Sequence, residues 1–153
     1  MCEHPEGGYS KLLYEDIDNI SEECLPAGYS GSRPTWNAIY YLLTKGTKSI
    51  FHKIKMAEMW SFHLGSSLEL YDLNEEGVLT TSILGNNILS GEKLAYVFPK
   101  NHWIAARPTN SSQFSFVNCM TSPGFTFKDW EKAERNDLIK KFPKHTDLII
   151  EFT

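Results

Sequence analysis

The chain has 153 residues, of which 13% are aromatic, and its 15 Lys and Arg against 19 Asp and Glu give a net charge of −4 with neutral His. This length predicts one domain over residues 1–153 that can bury a core of its own. Without a basic run or a basic excess, nucleic acid is not an expected partner, and no apolar run is long enough to span a membrane as a helix.

Cys2, Cys24 and Cys119 are an odd number of cysteines and lack the spacing of a zinc site. They predict free thiols, which are typical of a reducing compartment. The first ten residues are polar and lack the apolar stretch of a secretory leader. We therefore expect a cytoplasmic protein that does not associate with membranes.

Short strands are predicted through most of the chain. The sequence HPEGG at 4–8 indicates a turn, and the Ser-, Gly- and Pro-rich residues 16–34 indicate a long loop. Turn signals then recur about every eight to twelve residues, which is typical of an all-β sandwich or barrel. The predicted strands are 9–14, 36–43, 49–55, 58–64, 68–73, 78–84, 94–98, 103–107 and 114–120.

The end of the chain has a different period. Apolar residues at roughly helical spacing predict one short α-helix over 127–142. Thr126 and Asp129 resemble a capping box at its start, and Pro143 ends it.

His52 and Glu58 are the residues most suited to chemistry. They lie on consecutive predicted strands, where Ile54 shares the face of His52, and Trp60 and Phe62 share the face of Glu58. A buried histidine beside a carboxylate is either an ion pair or shares one proton, and such pairs suit general acid–base catalysis. The alternative is that His52 and Glu58 have satisfied hydrogen bonds and a structural role only, without a ligand.

A metal site requires three or four converging ligands, and this segment offers two. His102 is the only further candidate, so His52, Glu58 and His102 form the one sensible set if a metal binds. The chain has Ile54 between the two candidate ligands of the first segment. We therefore predict no cofactor.

Three further residues are predicted to bind a ligand. Arg33 and Arg107 can pair with an anionic group, because a guanidinium binds carboxylate or phosphate through two hydrogen bonds; a surface salt bridge is the alternative for each. Tyr40 belongs to the aromatic strand before the histidine and is expected to contribute to the wall of a pocket.

The ordered motifs resemble one family. Gly46, His52, Glu58 and Gly65 have the spacing of the first cupin motif, with Ile54 where that motif has its second histidine. Together with HPEGGY at 4–9, AIYYLL at 38–43, WIAAR at 103–107 and SPGF at 122–125, the chain is similar to the uncharacterised cupin family Cupin_5. The resemblance covers residues from about 4 to about 150.

The resemblance implies a double-stranded β-helix, the cupin jelly roll, similar to the epimerases that act on nucleotide-linked deoxyhexoses. With the short C-terminal α-helix, this defines the expected fold class as all-β. The resemblance also implies a homodimer. The residues carried over are the pocket set His52, Glu58, Trp60 and Trp103, with Glu6 and Tyr9 as structural or rim elements.

Three functions remain open from the sequence. The first is binding of a small polar metabolite in a barrel pocket walled by Trp60, Phe62 and Trp103. The second is a metal-independent isomerase or epimerase acting on a sugar-nucleotide-like substrate, with His52 as acid or base and Glu58 setting its charge. The third is a metal-dependent cupin enzyme.

Overall fold

Two antiparallel sheets form the protein in a computed structural model that describes residues 1–111 and 113–153. The strands are β1 (Cys2–Glu3), β2 (Tyr9–Glu15), β3 (Asn19–Ile20), β4 (Arg33–Pro34), β5 (Asn37–Leu43), β6 (Ser49–Ile54), β7 (Ala57–Gly65), β8 (Leu68–Leu73), β9 (Leu79–Leu84), β10 (Ala95–Phe98), β11 (Trp103–Pro108), β12 (Ser115–Ser122) and β13 (Trp130–Lys132). Two α-helices follow, α1 (Arg135–Lys141) and α2 (Thr146–Glu151).

The strand order is that of a jelly roll. One sheet has the order β1-β2-β5-β12-β7-β10, and the other has the order β13-β6-β11-β8-β9. Strands β3 and β4 pair with each other inside the long loop. Because β6 and β7 are consecutive in sequence but belong to different sheets, the chain crosses from one sheet to the other between residues 54 and 57.

Alternation along the strands builds two apolar layers. The first layer lies between the sheets and takes Tyr41, Trp60 and Ile104 from strands of both. The second layer covers the outer face of the five-stranded sheet, where Phe51 and Trp103 pack under side chains from the two helices. Residues two apart on β11 therefore share a layer, and neighbours belong to opposite layers.

The predicted strands are confirmed with end shifts of one or two residues, and residues 16–34 are largely loop as predicted. The helix predicted over 127–142 is wrong in its first half. Residues 127–129 form a 3₁₀ turn, and β13 then extends the five-stranded sheet by pairing with β6. The edge of β6 offers backbone partners that a helix starting at residue 127 would leave unpaired.

The helical segment has two short helices where one was predicted. Pro143 separates α1 from α2, which agrees with its expected role as a helix stop. Among residues 1–111 and 113–153, no helix is long and apolar enough to cross a membrane. All three cysteines are free, and Cys119 is buried.

Candidate functional site

A cavity of about 300 Å³ opens beside the core between the two sheets. Its walls come from β2, β5, β7 and β12 of the six-stranded sheet, from β6 of the other sheet, and from residues 4–6 and 125–127. Most of the wall is apolar or aromatic. Five acidic or histidine side chains line it: His4, Glu6, Glu15, His52 and Glu58.

His52 has one tautomer fixed by the backbone. Its Nδ1 lies 2.8 Å from the carbonyl oxygen of Ile50, which can only accept a hydrogen bond, so Nδ1 carries the proton. The other ring nitrogen, Nε2, lies 3.3 Å from Oε1 of Glu6. Burial lowers the pKa of His52 to about 4; the bond to Ile50 acts in the opposite direction, and nearby His4 lowers the pKa further. His52 is therefore neutral near pH 7.

Glu6 is held in the site by its own backbone. The amide of Ile50 donates to the carbonyl of Glu6 at 2.9 Å, and the hydroxyl of Tyr41 donates to the carbonyl of Gly7 at 2.7 Å. The segment folds back because the amide of His4 donates to the carbonyl of Gly8 and the amide of Gly7 donates to the carbonyl of His4. Gly7 and Gly8 have φ values of 103° and 69°, which favour glycine. This turn is the physical basis of the HPEGGY motif.

Glu6 and Glu58 are carboxyl groups in an enclosed, low-dielectric wall. Burial raises the pKa of Glu6 well above its usual range, and the charge of Glu58 adds to that effect. Burial raises the pKa of Glu58 to about 7, while the nearby indole N–H of Trp60 acts in the opposite direction without reaching hydrogen-bond geometry. Protonated Glu6 can donate to Nε2 of His52, and Glu58 is about half ionised at neutral pH.

The family model for Cupin_5, described as Cupin superfamily (DUF985), matches residues 1–133. The chain belongs to the Cupin_5 family. Protein SO0799 from Shewanella oneidensis is 35% identical, with a TM-score of 0.85 over 99% of this chain and 89% of that one. A hypothetical protein from Leishmania major is 24% identical, with a TM-score of 0.87 over 99% of this chain and 92% of that one.

More distant cupins share the fold. A cupin 2 domain-containing protein from Halorhodospira halophila is 10% identical, with a TM-score of 0.60 over 99% of this chain and 86% of that one. Among curated proteins, none matches this chain significantly. The comparisons confirm the predicted family and the all-β jelly roll.

The structure of this Cupin_5 protein brings three of the predicted site residues to the cavity: His52, Glu58 and Trp60. Ile54 lines it too, on the same face as His52, as alternation predicts. The expected contact between His52 and Glu58 needs correction, because the carboxylate beside His52 is that of Glu6. Glu58 approaches from the opposite sheet, since β6 and β7 do not pair.

Two predicted wall residues lie elsewhere. Phe62 packs against the core between the sheets and does not line the cavity. Trp103 belongs to the outer layer under the helices, with Nζ of Lys53 4.6 Å from the centre of its ring. Ile104 takes the inward position on β11, so its neighbour Trp103 must face outward.

The predicted ligand-binding residues Arg33, Arg107 and Tyr40 also lie outside the cavity wall. Arg33 is buried and forms two hydrogen bonds with Asp129, at 2.6 and 2.8 Å. Arg107 pairs with Glu69 at 2.9 Å and with Glu151. Tyr40 stacks on Phe116 with 5.2 Å between ring centres. Arg107 forms the surface salt bridge that the alternative expects, whereas the carboxylate partner of Arg33 is buried with it.

The candidate metal set is not assembled. Nδ1 of His102 lies 2.6 Å from Oδ1 of Asp72, and Oδ2 of the same carboxylate accepts a hydrogen bond from Tyr96. His102 does not line the cavity. Within the described residues, no group of three His, Cys, Asp or Glu side chains is arranged to hold a metal ion. The donor set that this chain offers therefore does not fit a cupin metal centre, and the prediction that no cofactor binds stays a prediction.

Glu6 is the functional candidate that sequence reasoning placed only at the rim. Its distance of 46 positions from His52 hides the contact, because no local period relates a turn at the start of the chain to β6. The paired glycines after it were the available signal, since they indicate a chain reversal that brings Glu6 back against a strand.

Proposed function

We propose that this Cupin_5 protein binds a small polar molecule in the cavity between its sheets. The observation that carries the proposal is the convergence of three carboxyl and two imidazole groups on one cavity of about 300 Å³. Cavities of this size with apolar walls, few polar groups and shifted pKa values are typical of ligand sites.

Unsatisfied polar atoms in the wall support the same conclusion. Nε1 of Trp60 and Nδ1 of His4 are buried and have no hydrogen-bond partner among the described residues. A buried polar atom without a partner costs on the order of 1–3 kcal/mol. A ligand with matching polar groups would recover this cost, while Ile39, Ile54 and Tyr41 would contact its apolar part.

We predict that Leu12→Trp prevents ligand retention. Leu12 lines the cavity and is 57% exposed, so a larger side chain there narrows the cavity without entering the core. Native mass spectrometry of the protein purified from its own source should show a small-molecule adduct on the wild type that Leu12→Trp lacks.

Leu13→Trp is the matched control, because Leu13 is 45% exposed and does not line the cavity. It should keep the adduct of the wild type. The proposal would be contradicted by a wild type without any adduct, or by equal retention in both variants.

A second candidate function is proton transfer by a metal-independent isomerase. A carboxyl group with a pKa of about 7 and a neutral imidazole with one tautomer share the same cavity, and a group of that pKa can give or take a proton at neutral pH. The described wall contains no Lys or Arg. These observations support proton transfer. They do not support a sugar-nucleotide-like substrate, because the described wall has no cationic side chain to bind its diphosphate.

Proton transfer predicts exchange of a carbon-bound hydrogen. When the molecule identified by mass spectrometry is incubated in D₂O with the wild type, its mass should rise by one for each exchanged hydrogen. His52→Asn should abolish this exchange while affinity stays within about tenfold. If the substitution leaves the exchange rate unchanged, His52 is not the base or the acid.

The homodimer and the cytoplasmic location remain proposals. Exposed apolar side chains on the six-stranded sheet, including Leu64 and Val97, support self-association. The exposed free thiols of Cys2 and Cys24 are compatible with a reducing compartment.

A further inference from the structure

The cavity wall has acidic side chains that no basic side chain of the described wall balances. Glu6 and Glu58 lie in the wall, and Glu15 is a third carboxylate on its lining from β2. No Lys or Arg is among the described residues that line the cavity. Arg33 and Arg107, which the sequence predicted as ligand-binding residues, pair instead with the carboxylates of Asp129 and Glu69.

The histidines do not neutralise these carboxyl groups. Burial lowers the pKa values of both His4 and His52, so the two imidazoles are mainly neutral at pH 7. Nδ1 of His52 is already committed to Ile50. Glu58 therefore faces the cavity without a cationic partner among the described residues.

The remaining wall is aromatic. Tyr41 and Trp60 form an edge-to-face pair with ring centres 5.5 Å apart, and Phe125 and Phe127 form a second one at 5.2 Å. All four residues line the cavity. Aromatic faces attract cations through their quadrupole, most strongly where water is excluded.

We infer that the cavity selects small organic cations, with an ammonium group placed against Glu58 and an apolar body against the aromatic wall. This inference rests on the proposed function and adds the chemical class of its ligand. A carboxylate or phosphate ligand would lie against the Glu58 carboxyl group with no Lys or Arg in the described wall to pair with it, so the desolvation of its charge would not be compensated. A metal ion is disfavoured because no three of the described His, Cys, Asp and Glu side chains are arranged to hold one.

Binding of such a cation should release a proton. A cation pairs with ionised Glu58, whose pKa is about 7 in the free protein, so binding below that pH converts the acid to the carboxylate and a proton leaves to solvent. The other titratable groups that line the cavity with Glu58 are Glu6, Glu15, His4, His52, Tyr41 and Cys119, from the N-terminal turn and strands β2, β5, β6 and β12. Burial raises the pKa values of Tyr41 and Cys119 well above their usual range, so both stay neutral.

The experiment compares three probes of one shape and different charge: benzylammonium, benzyl alcohol and benzoate. Each is titrated into the full chain and followed by NMR of the Trp60 indole at pH 6 and pH 8. We expect benzylammonium to bind at least about tenfold more tightly than benzyl alcohol at pH 8 and to weaken several-fold at pH 6. Glu58→Gln should remove most of that preference.

Glu131→Gln is the control, because Glu131 is 59% exposed on β13 and pairs with Lys53 outside the cavity. It should leave all three affinities unchanged. The inference would be overturned if benzyl alcohol or benzoate bound as tightly as benzylammonium, if benzylammonium failed to saturate, or if Zn²⁺ displaced it. If benzyl alcohol or benzoate binds as tightly as benzylammonium and Leu12→Trp blocks that binding, the cation preference is wrong and the proposed function is still supported.

Discussion

Replacing Asp129 by Ala is expected to lower the free energy of unfolding by about 3–5 kcal/mol, because it leaves the buried guanidinium of Arg33 without its partner. Asp129 and Arg33 are 3% and 1% exposed. The remaining donors of Arg33 bind the backbone carbonyls of Ser30, Gly31 and Ser32, so this ion pair also holds the long loop against the five-stranded sheet.

Thermal unfolding should show the loss as a fall in Tm of roughly 10 °C. Glu131→Ala is the control: its carboxylate pairs with Lys53 near the surface, where such pairs contribute at most about 1 kcal/mol. Equal values of Tm for the two variants would show that the Arg33–Asp129 pair does not stabilise the fold.

The Arg33–Asp129 pair also makes the stability of the fold depend on pH in the acid range. Burial alone would raise the pKa of Asp129, but the hydrogen bonds and charge of Arg33 outweigh it and hold that pKa below its ordinary value of 3.8. A carboxyl group whose pKa is lower in the folded than in the unfolded protein stabilises the folded state at every pH above its unfolded-state pKa. This stabilisation is lost as the pH falls through the folded-state pKa. The gap in Tm between wild type and Asp129→Ala should therefore narrow below pH 3.8.

Gly7→Ala is expected to displace the N-terminal turn and to raise the pKa of His52 from about 4 towards its ordinary value of 6.5. A Cβ at Gly7 would lie closer than van der Waals contact to the carbonyl oxygen of Lys48, and the φ of 103° adds strain. Moving the turn takes the carboxyl group of Glu6 away from His52 and admits water to the imidazole. NMR titration of His52 measures the resulting pKa. Stability should fall by about 2 kcal/mol.

Gly28→Ala separates the collision from the backbone strain. Gly28 has a similar φ of 99°, but an added Cβ there meets no described atom within 4 Å. Its stability loss should be about 1 kcal/mol, and the pKa of His52 should not change. A shift of the His52 pKa in both variants, or in neither, would show that the turn does not control this residue.

The period-two pattern of β6 and β7 made the most accurate prediction available from the sequence. Alternation alone placed His52, Ile54, Glu58 and Trp60 on inward faces, and all four line the cavity. The cupin spacing identified the fold because a jelly roll requires this order of strands and turns, and the family match confirms it.

Contacts between distant segments were beyond sequence reasoning. Glu6 reaches His52 through a turn tied to β6, and Arg33 reaches Asp129 across 96 positions, so no local pattern pairs either one. Trp103 shows a different limit: the family resemblance placed it in the pocket, whereas alternation from Ile104 places it outside. The alternation of side chains therefore predicts the face of a strand better than the family resemblance does. At residues 127–132, pairing of β13 with β6 replaces the first half of the predicted helix.

Because the hydrogen-bonding partner of the central imidazole comes from a turn that a few hydrogen bonds tie to β5 and β6, the site depends on the local stability of residues 4–8. Segments like this open with free energies well below that of complete unfolding. Detachment of residues 4–8 would open the cavity wall without breaking the strand pairs of the two sheets. A protein that melts at an unchanged temperature could still have lost its binding site, so hydrogen exchange at the Ile50 amide would report on the site better than a melting curve does.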